Sequence, residues 1–273
     1  MKRMTVDGVE LAYEIQGSGE PVVLIHGSHV ADAYLPLMDQ PALSDYRLIR
    51  YQRRGLADSN PTEGSVSIKE QANDCSTLLR QLGVEQVHVA GHSYGGVIAL
   101  QLALDAPDLV HSLVLMEPAL LMVPSAERFM EQLAPVAESY QRGDKAGAVE
   151  MFLQGVGRPN AREIVERAVP GGFAQAARDA DTFFQVELPA LQEWRLTQDD
   201  VRGITQPVLY VMGGDSLPIF LEVRSLIHEW LPQANDLLVP GVTHFLQMEN
   251  AKAVAEGLKR FFKTHPVPVT SGS

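Results

Sequence analysis

Features that would point to other classes of protein are scarce in this sequence. It has one cysteine, Cys75, which cannot form an internal disulfide, and no cluster of Cys and His has metal-ligand spacing. Basic residues are few: 22 Lys and Arg stand against 34 Asp and Glu, giving a net charge of −12. Nucleic acids and anionic membranes bind through clustered Lys and Arg, so we expect neither as a partner.

Long apolar runs are also missing. No stretch of 18 or more apolar residues could cross a bilayer, and residues 1–8 lack the apolar segment of a signal peptide. We therefore expect a cytoplasmic protein without a membrane span, either a monomer or a homodimer. The length of 273 residues suits one large domain with a full hydrophobic core. Residues 266–273 are rich in Pro, Ser and Gly, and we expect them to form a disordered tail.

Short apolar runs of strand type alternate with longer helical patterns along the chain. These runs lie at residues 22–25, 47–51, 87–90, 113–116, 208–212 and 236–239. The alternation predicts a mostly parallel sheet covered by helices. Ser67 and Glu70 form the pattern of a capping box, which predicts a helix that begins there and stops at Gly83.

The strand pattern disappears between residues 118 and 206. Four helical patterns replace it, near residues 125–141, 144–154, 161–168 and 173–188. They predict a helical cap at 118–206, inserted into an α/β core formed by residues 1–117 and 207–273. The apolar side chains of this cap are candidates for its own core and for a lid over a hydrophobic substrate: Phe129, Met130, Leu133, Met151, Phe152, Phe183 and Phe184.

Residues 87–96 carry the most specific chemical signal. They place a Gly-His-Ser-Tyr-Gly turn, with Ser93 at its centre, directly between an apolar strand and a helix. This is the context of a nucleophile elbow, in which a strained backbone exposes the serine hydroxyl. Gly91 and Gly95 remove side chains that would collide there, and the following helix directs N–H groups toward a developing oxyanion. A plain strand-to-helix turn is the alternative, and the flanking strand and helix favour the nucleophile.

Three further motifs join the elbow, at residues 26–28, 53–59 and 241–244, and each of them comes after an apolar strand. Together the four motifs resemble the α/β-hydrolase superfamily over essentially the whole chain. The resemblance implies an eight-stranded, mostly parallel sheet flanked by helices, with an inserted helical cap, and chemistry that uses neither a cofactor nor a metal. It also implies that the backbone N–H groups of Ser28 and Tyr94 form the oxyanion hole.

The same loops supply candidate residues around a substrate. The resemblance implies that His26 shapes the first loop, beside Gly27. His92 flanks the nucleophile but projects from the elbow in another direction. His29 has two interpretations, lining of the pocket or a place on the loop surface. We count His26, Gly27, His29 and His92 as candidate substrate-binding residues.

A serine hydroxyl needs a base within hydrogen-bond reach and a third group that orients the base. Among eight histidines, His244 is preferred because it follows the last strand in a glycine-bearing loop, at the same sheet edge as Ser93. The chain order of nucleophile, acid and base is also that of this fold. The remaining histidines of strands, helices and tail are expected to be structural or solvated: His88, His111, His228 and His265.

Two carboxylates compete for the third role. Many relatives carry an Asp in a G-x-x-D turn after the penultimate strand, but here Ser216 occupies that position and Asp215 lies one residue early. Glu117 directly follows the apolar run at residues 113–116. Zearalenone lactonases and some haloalkane dehalogenases carry their acid at this position. Unpaired carboxylates seldom lie beside a core, so we favour Glu117 and keep Asp215 as the alternative acid.

These residues predict a serine hydrolase that cleaves a small hydrophobic ester or lactone through an acyl-enzyme intermediate. Carbon–carbon bond hydrolysis and cofactor-free perhydrolysis use the same triad and stay open. Haloalkane dehalogenases and epoxide hydrolases of this fold need a carboxylate where this chain has Ser93. A non-catalytic ligand receptor is the alternative from another class, because a fold alone never establishes activity.

Overall fold

A computed structural model describes residues 1–62 and 64–268, so residues 269–273 of the expected tail lie outside the described residues. Within these two ranges no helix is both long and apolar enough to cross a membrane. The strands are β1 (Lys2–Val6), β2 (Val9–Gln16), β3 (Glu20–Ile25), β4 (Tyr46–Tyr51), β5 (Val87–His92), β6 (Val110–Met116), β7 (Val208–Gly213) and β8 (Asn235–Val239).

The eight strands form one sheet in the order β1-β2-β4-β3-β5-β6-β7-β8. Only the pairings that involve β2 are antiparallel, and the others are parallel. The predicted eight-stranded, mostly parallel α/β-hydrolase sheet is therefore confirmed. No apolar run marked β1 or β2, because these outer strands are partly exposed to solvent and do not need continuous apolar sequence.

The helices are α1 (Leu35–Met38), α2 (Ile68–Gln81), α3 (Tyr94–Asp105), α4 (Ala126–Gln132), α5 (Ala134–Gln141), α6 (Lys145–Val156), α7 (Ala161–Ala168), α8 (Gly172–Arg178), α9 (Leu188–Glu193), α10 (Gln198–Val201), α11 (Pro218–Trp230), α12 (Leu246–Glu249) and α13 (Ala251–Thr264). A short 3₁₀ helix spans Pro41–Leu43, and a π-helical segment spans Thr182–Glu187.

Helices cover both faces of the sheet. Val23 and Ile25 of β3 point into an apolar layer with α2, α3 and α11, whereas Val22 and Leu24 point into a second layer with α1 and α13. Successive side chains of a strand alternate between faces, so a strand buried on both must be apolar throughout. Full burial of each such side chain contributes roughly 1.5–3 kcal/mol to stability.

The segment between β6 and β7 is helical, as the sequence predicts, but it holds more helices than four. The pattern at 125–141 divides at Leu133, just before Pro135, which has no N–H to donate at the start of α5. The pattern at 173–188 divides into α8, the π-helical segment and the start of α9. The exact boundaries of core and cap, 1–117 with 207–273 and 118–206, stay predictions.

The predicted capping box is present at the start of α2. The Ser67 hydroxyl accepts the Glu70 N–H, and the Glu70 carboxylate accepts the Ser67 N–H at 2.8 Å. We expect Ser67→Ala to lower the free energy of unfolding by about 1 kcal/mol in urea titration, because helix N–H groups lose their acceptor. The control is Ser76→Ala within the same helix, which should stay within about 0.5 kcal/mol of the parent. Equal losses in the two variants would contradict the capping role.

Candidate active site

The chain turns sharply at Ser93, between β5 and α3. Its φ of 52° and ψ of −118° lie outside the usual regions for a residue with a side chain, as the elbow motif predicts. The turn is so tight that a Cβ on Gly95 would lie 2.1 Å from the Ile25 carbonyl oxygen, so only glycine fits at this position. The Ser93 N–H donates to the Met116 carbonyl at 2.9 Å, so the elbow is attached to the end of β6.

Glu117, the next residue after Met116, lies at this junction. It is fully buried, and its φ of 45° is again in the left-handed region. One carboxylate oxygen accepts the Gly213 N–H from the end of β7 at 2.8 Å. The other lies 2.7 Å from Nδ1 of His244, in the loop after β8. The structure therefore brings together Glu117 and His244, the favoured acid and base of the sequence analysis.

The His244 ring is held on further sides. The Phe220 ring stacks on it, with centroids 4.5 Å apart and planes 9° apart. His92 Nε2 lies 2.8 Å from the His244 carbonyl oxygen and donates to it, while Gln247 donates to His92 Nδ1 at 3.2 Å. Burial first, and then the neighbouring His244, lower the pKa of His92 well below its usual value, so this ring stays neutral. His92 thus fixes the His244 backbone.

Asp215, the alternative acid, forms no hydrogen bond or ion pair with His244 among the described residues, and its carboxylate pairs with Arg158. Its side chain is half-exposed, and a carboxylate oxygen lies 2.9 Å from Nη2 of Arg158. Arg158 also donates to Glu249 at 3.0 Å and to the Gly241 carbonyl at 2.8 Å. Placed one residue early in its turn, Asp215 points to the surface and ties the cap to the loop before His244.

Ser28 and Tyr94, whose N–H groups are the expected oxyanion donors, lie beside Ser93. These N–H groups donate to no other residue within the described ranges, and both residues line the same cavity as the serine. Gly27 permits the close approach of the first loop, since a Cβ there would lie 3.1 Å from the Ser93 Cβ. Within the described residues, both N–H groups are thus without a protein acceptor, and their role as oxyanion donors stays a prediction.

Two other candidates, His26 and His29, belong to the first loop, and His26 shapes that loop as expected. His26 accepts the Arg53 N–H at Nε2, at 3.0 Å, and its Nδ1 donates to the Gly27 carbonyl at 2.7 Å, so both nitrogens are already used. His29 is buried rather than on the loop surface, and its ring packs 4.4 Å from the Phe183 ring. Burial lowers the pKa of His29 to about 3. Neither ring is among the described residues that border the cavity, which corrects their assignment to substrate binding.

The cavity at Ser93 has a volume of about 580 Å³ when the part that is open to solvent is included. Among the described residues of its wall, the polar side chains are Ser28, Ser93, Tyr94 and His244, and none carries a fixed charge. Most of the rest are apolar groups of the cap and of α11: Leu120, Leu121, Phe129, Met130, Leu133, Phe152, Val156, Phe183, Leu188, Leu191, Ile219, Phe220 and Val223. A second space of about 360 Å³ adjoins the same serine and includes Gly27 and His92.

Two of the expected lid residues lie outside this wall. Met151 is exposed on α6, and Phe184 stacks on the Tyr140 ring within the cap, with centroids 4.1 Å apart. Periodicity could not separate these roles, because both residues belong to apolar stretches of the same type as the lining residues.

The structure adds groups that the sequence did not identify. Phe220 and Gln247 lie in ordinary helical patterns, and only packing brings them to His244 and His92. Arg53 lies in the motif at residues 53–59, but nothing in that motif indicates that its side chain is buried. No hydrogen bond joins the Ser93 hydroxyl to His244 within the described residues, although both line one cavity. Such contacts often tighten only when substrate binds.

The tight turn at Gly95 leaves no room for a side chain. We expect Gly95→Ala to destabilise the protein by about 1–3 kcal/mol or more in urea titration, because its Cβ would overlap the Ile25 and His26 carbonyl oxygens. Gly155→Ala in α6 is the matched control: a Cβ there meets no atom within 4 Å, and alanine stabilises a helix interior by up to about 1 kcal/mol. A Gly95→Ala protein as stable as its control would contradict this account of the elbow.

Comparison with known proteins agrees with the fold. A profile of the α/β-hydrolase fold matches residues 20–251. A protein named as the carbamate hydrolase RutD, from Azorhizobium caulinodans, is 37% identical over 106 residues, which are 39% of this chain and 40% of that protein. The match therefore spans less than half of that relative's length.

Solved structures resemble the chain over nearly its whole length. An esterase from Thermogutta terrifontis superposes with a TM-score of 0.80 at 21% identity, covering 98% of this chain and all of the esterase. The enol-lactonase of Burkholderia xenovorans gives a TM-score of 0.77 at 20% identity, covering 96% of this chain and all of that structure. The profile match and the eight-stranded sheet together identify the chain as a member of the α/β-hydrolase fold family.

Proposed function

We propose that this protein is a serine hydrolase that cleaves an uncharged carboxylic ester or lactone with apolar substituents. The observation that carries the proposal is the buried Glu117–His244 pair, whose atoms lie 2.7 Å apart and whose imidazole opens onto the cavity of Ser93. A carboxylate, an imidazole and a strained serine at one cavity match the parts needed for nucleophilic acyl transfer.

In the first step the Ser93 hydroxyl attacks the carbonyl carbon, and its proton moves to Nε2 of His244. The carbonyl oxygen becomes an oxyanion, which the Ser28 and Tyr94 N–H groups stabilise by hydrogen bonds. As the tetrahedral intermediate collapses, His244 returns its proton to the leaving alkoxide, and the acyl group stays on Ser93. A lactone opens in the same way, with its alkoxide still attached to the acyl chain.

In the second step a water molecule attacks the acyl-enzyme, and His244 takes its proton. The second tetrahedral intermediate then releases the carboxylic acid, and Ser93 recovers its proton from His244. Glu117 accepts the Nδ1–H of His244 throughout, which keeps Nε2 free as the base and stabilises the imidazolium. The Gly213 N–H and the Phe220 ring hold these two groups in place.

The cavity wall supports the proposed substrate class. Its described lining has no fixed charge, so a charged substituent would lose hydration there without a partner. Solved neighbours with this fold include an esterase and an enol-lactonase. Four assays will separate the proposal from the other chemistries of the same triad. They measure turnover of p-nitrophenyl esters of graded acyl length, of lactones and of substrates with a cleavable carbon–carbon bond, and peroxide-dependent halogenation.

The nucleophile itself is tested by Ser93→Ala. We expect turnover of the best ester to fall by roughly four orders of magnitude or more, because the attacking oxygen is removed from an otherwise intact site. A fluorophosphonate probe should label the parent and not the variant, and both should melt at similar temperatures. Failure of the parent to label would favour a ligand receptor, and an active Ser93→Ala protein would contradict the assignment of the nucleophile.

The assignment of the orienting acid is tested by replacing each candidate carboxylate with its amide. We expect Glu117→Gln to lower turnover about a hundredfold or more, because the amide no longer selects the correct tautomer of His244. Asp215→Asn should stay within about tenfold of the parent, since it only weakens an exposed ion pair with Arg158. Urea titration of both variants checks their folding. A crippled Asp215→Asn enzyme with an active Glu117→Gln enzyme would reverse the assignment.

A further inference from the structure

A buried arginine lies beneath the two donors of the oxyanion hole. Arg53 lies two residues after the end of β4 and is only 2% exposed, whereas arginine side chains are seldom buried. A buried guanidinium is costly unless its N–H groups are paired. The positions of those partners therefore indicate what this charge is used for.

Four contacts occupy the guanidinium. Its Nε donates to the His26 carbonyl at 3.2 Å, Nη1 donates to Gln71 at 2.8 Å, and Nη2 donates to the Gly27 carbonyl at 2.9 Å. The Nη2 atom also lies 2.5 Å from a carboxylate oxygen of Glu187, in an ion pair without hydrogen-bond geometry. Two of these partners are consecutive carbonyls of the first loop, so the arginine clamps the backbone of that loop.

The contact with Gly27 acts on the oxyanion hole through the peptide plane. The carbonyl of Gly27 and the N–H of Ser28 belong to one rigid peptide unit and point in opposite directions. A charged donor on the carbonyl therefore fixes the direction of the Ser28 N–H. It also polarises the unit, which makes that N–H a stronger donor. His26 Nδ1 donates to the same carbonyl at 2.7 Å and supports the same orientation.

Arg53 also contacts the residue that carries the second donor. Its guanidinium carbon lies 4.7 Å from the centre of the Tyr94 ring, within the range of a cation–π interaction. Gln71 bridges the two side chains, since it accepts from Arg53 and donates to the Tyr94 hydroxyl at 2.7 Å. One side chain thus reaches both residues whose N–H groups are the expected oxyanion donors.

The carboxylate that balances this charge comes from the cap. Glu187 is 1% exposed and ends the π-helical segment Thr182–Glu187, in the last third of the segment between β6 and β7. Hydrogen bonds from the same stretch reach the core nearby: Thr182 donates to the Gly55 carbonyl at 2.5 Å, and Asp179 accepts the Ala57 N–H at 2.7 Å. The seating of the cap is therefore connected to Arg53.

We propose that Arg53 is a positioning residue for the oxyanion hole, which it holds through the Gly27–Ser28 peptide and the Tyr94 ring, and that Glu187 of the cap holds Arg53 in turn. The inference rests on the proposed function, because an oxyanion hole matters only to acyl transfer. Its effect is confined to stabilisation of the tetrahedral oxyanion and leaves ground-state binding of the substrate unchanged.

The test compares Arg53→Met with Arg54→Met. Arg54 lies in the same loop and pairs with Asp74 through two hydrogen bonds of 2.6 and 2.5 Å, but it has no contact with the first loop among the described residues. Loss of a whole oxyanion donor costs about 10²–10³ in kcat, so misalignment in Arg53→Met should cost about tenfold to a hundredfold. KM should stay near the parent value, and a trifluoromethyl ketone, which forms a tetrahedral adduct with Ser93, should bind more weakly by a similar factor.

Arg53→Met leaves the Glu187 carboxylate buried and unpaired, so the same measurements are made on the double variant R53M/E187Q. Active-site titration with a fluorophosphonate corrects each rate for the folded fraction. The proposal predicts a loss of kcat and ketone affinity in both variants relative to Arg54→Met. If the variants lose stability but keep kcat and ketone affinity within twofold of that control, Arg53 is only structural and the proposal is overturned.

A readout that needs no turnover separates this inference from the proposed function. In the ¹H–¹⁵N spectrum, removal of Arg53 should shift the Ser28 amide resonance more than removal of Arg54 does, because the peptide loses its charged partner. An unmoved Ser28 resonance would overturn the positioning role even in an active enzyme. If the parent hydrolyses no ester but removal of Arg53 still shifts the Ser28 resonance as expected, the proposed function is overturned. The positioning of the Gly27–Ser28 peptide by Arg53 is then retained.

Discussion

The buried carboxylate of Glu117 is the constraint on which the site depends. A carboxylate removed from water must be paired, and each of its oxygens finds a partner on a different element. One partner is the Gly213 N–H at the end of β7, and the other is the His244 ring after β8. The Ser93 N–H bonds to the neighbouring Met116 carbonyl, so the ends of four successive strands are drawn to one place.

Strain accompanies this convergence. Ser93, Glu117 and His29 all have positive φ, and all three lie around the same edge of the sheet. Such conformations cost of order 1–3 kcal/mol each and persist only where the surrounding structure compensates. Here the compensation comes from the apolar layers on both faces of the sheet, which fix the strand ends. The stability of the core thus maintains a geometry that the local sequence would not adopt alone.

Different parts of the cap are attached to the core by different kinds of contact. The stretch from Asp179 to Glu187 makes polar contacts with the loop after β4, including a buried ion pair. Phe129 and Met130 of α4 instead contribute apolar side chains to the cavity wall. Directional hydrogen bonds fix orientation, whereas apolar contacts tolerate rearrangement. The polar contacts therefore fix the orientation of the loop after β4, whereas the apolar part of the cavity wall can rearrange.

The sequence by itself determined the fold class, the elbow at Ser93 and the loop of His244, because these depend on local patterns: apolar runs, glycines at a tight turn and the order of motifs along the chain. It also ranked Glu117 above Asp215, since a carboxylate directly after a buried strand needs a partner. Tertiary structure alone decided which side chains meet. Asp215 lies one residue early in its turn, and its side chain therefore reaches the surface. Contacts between elements distant in sequence bury His29 and Arg53 and stack Phe220 on His244.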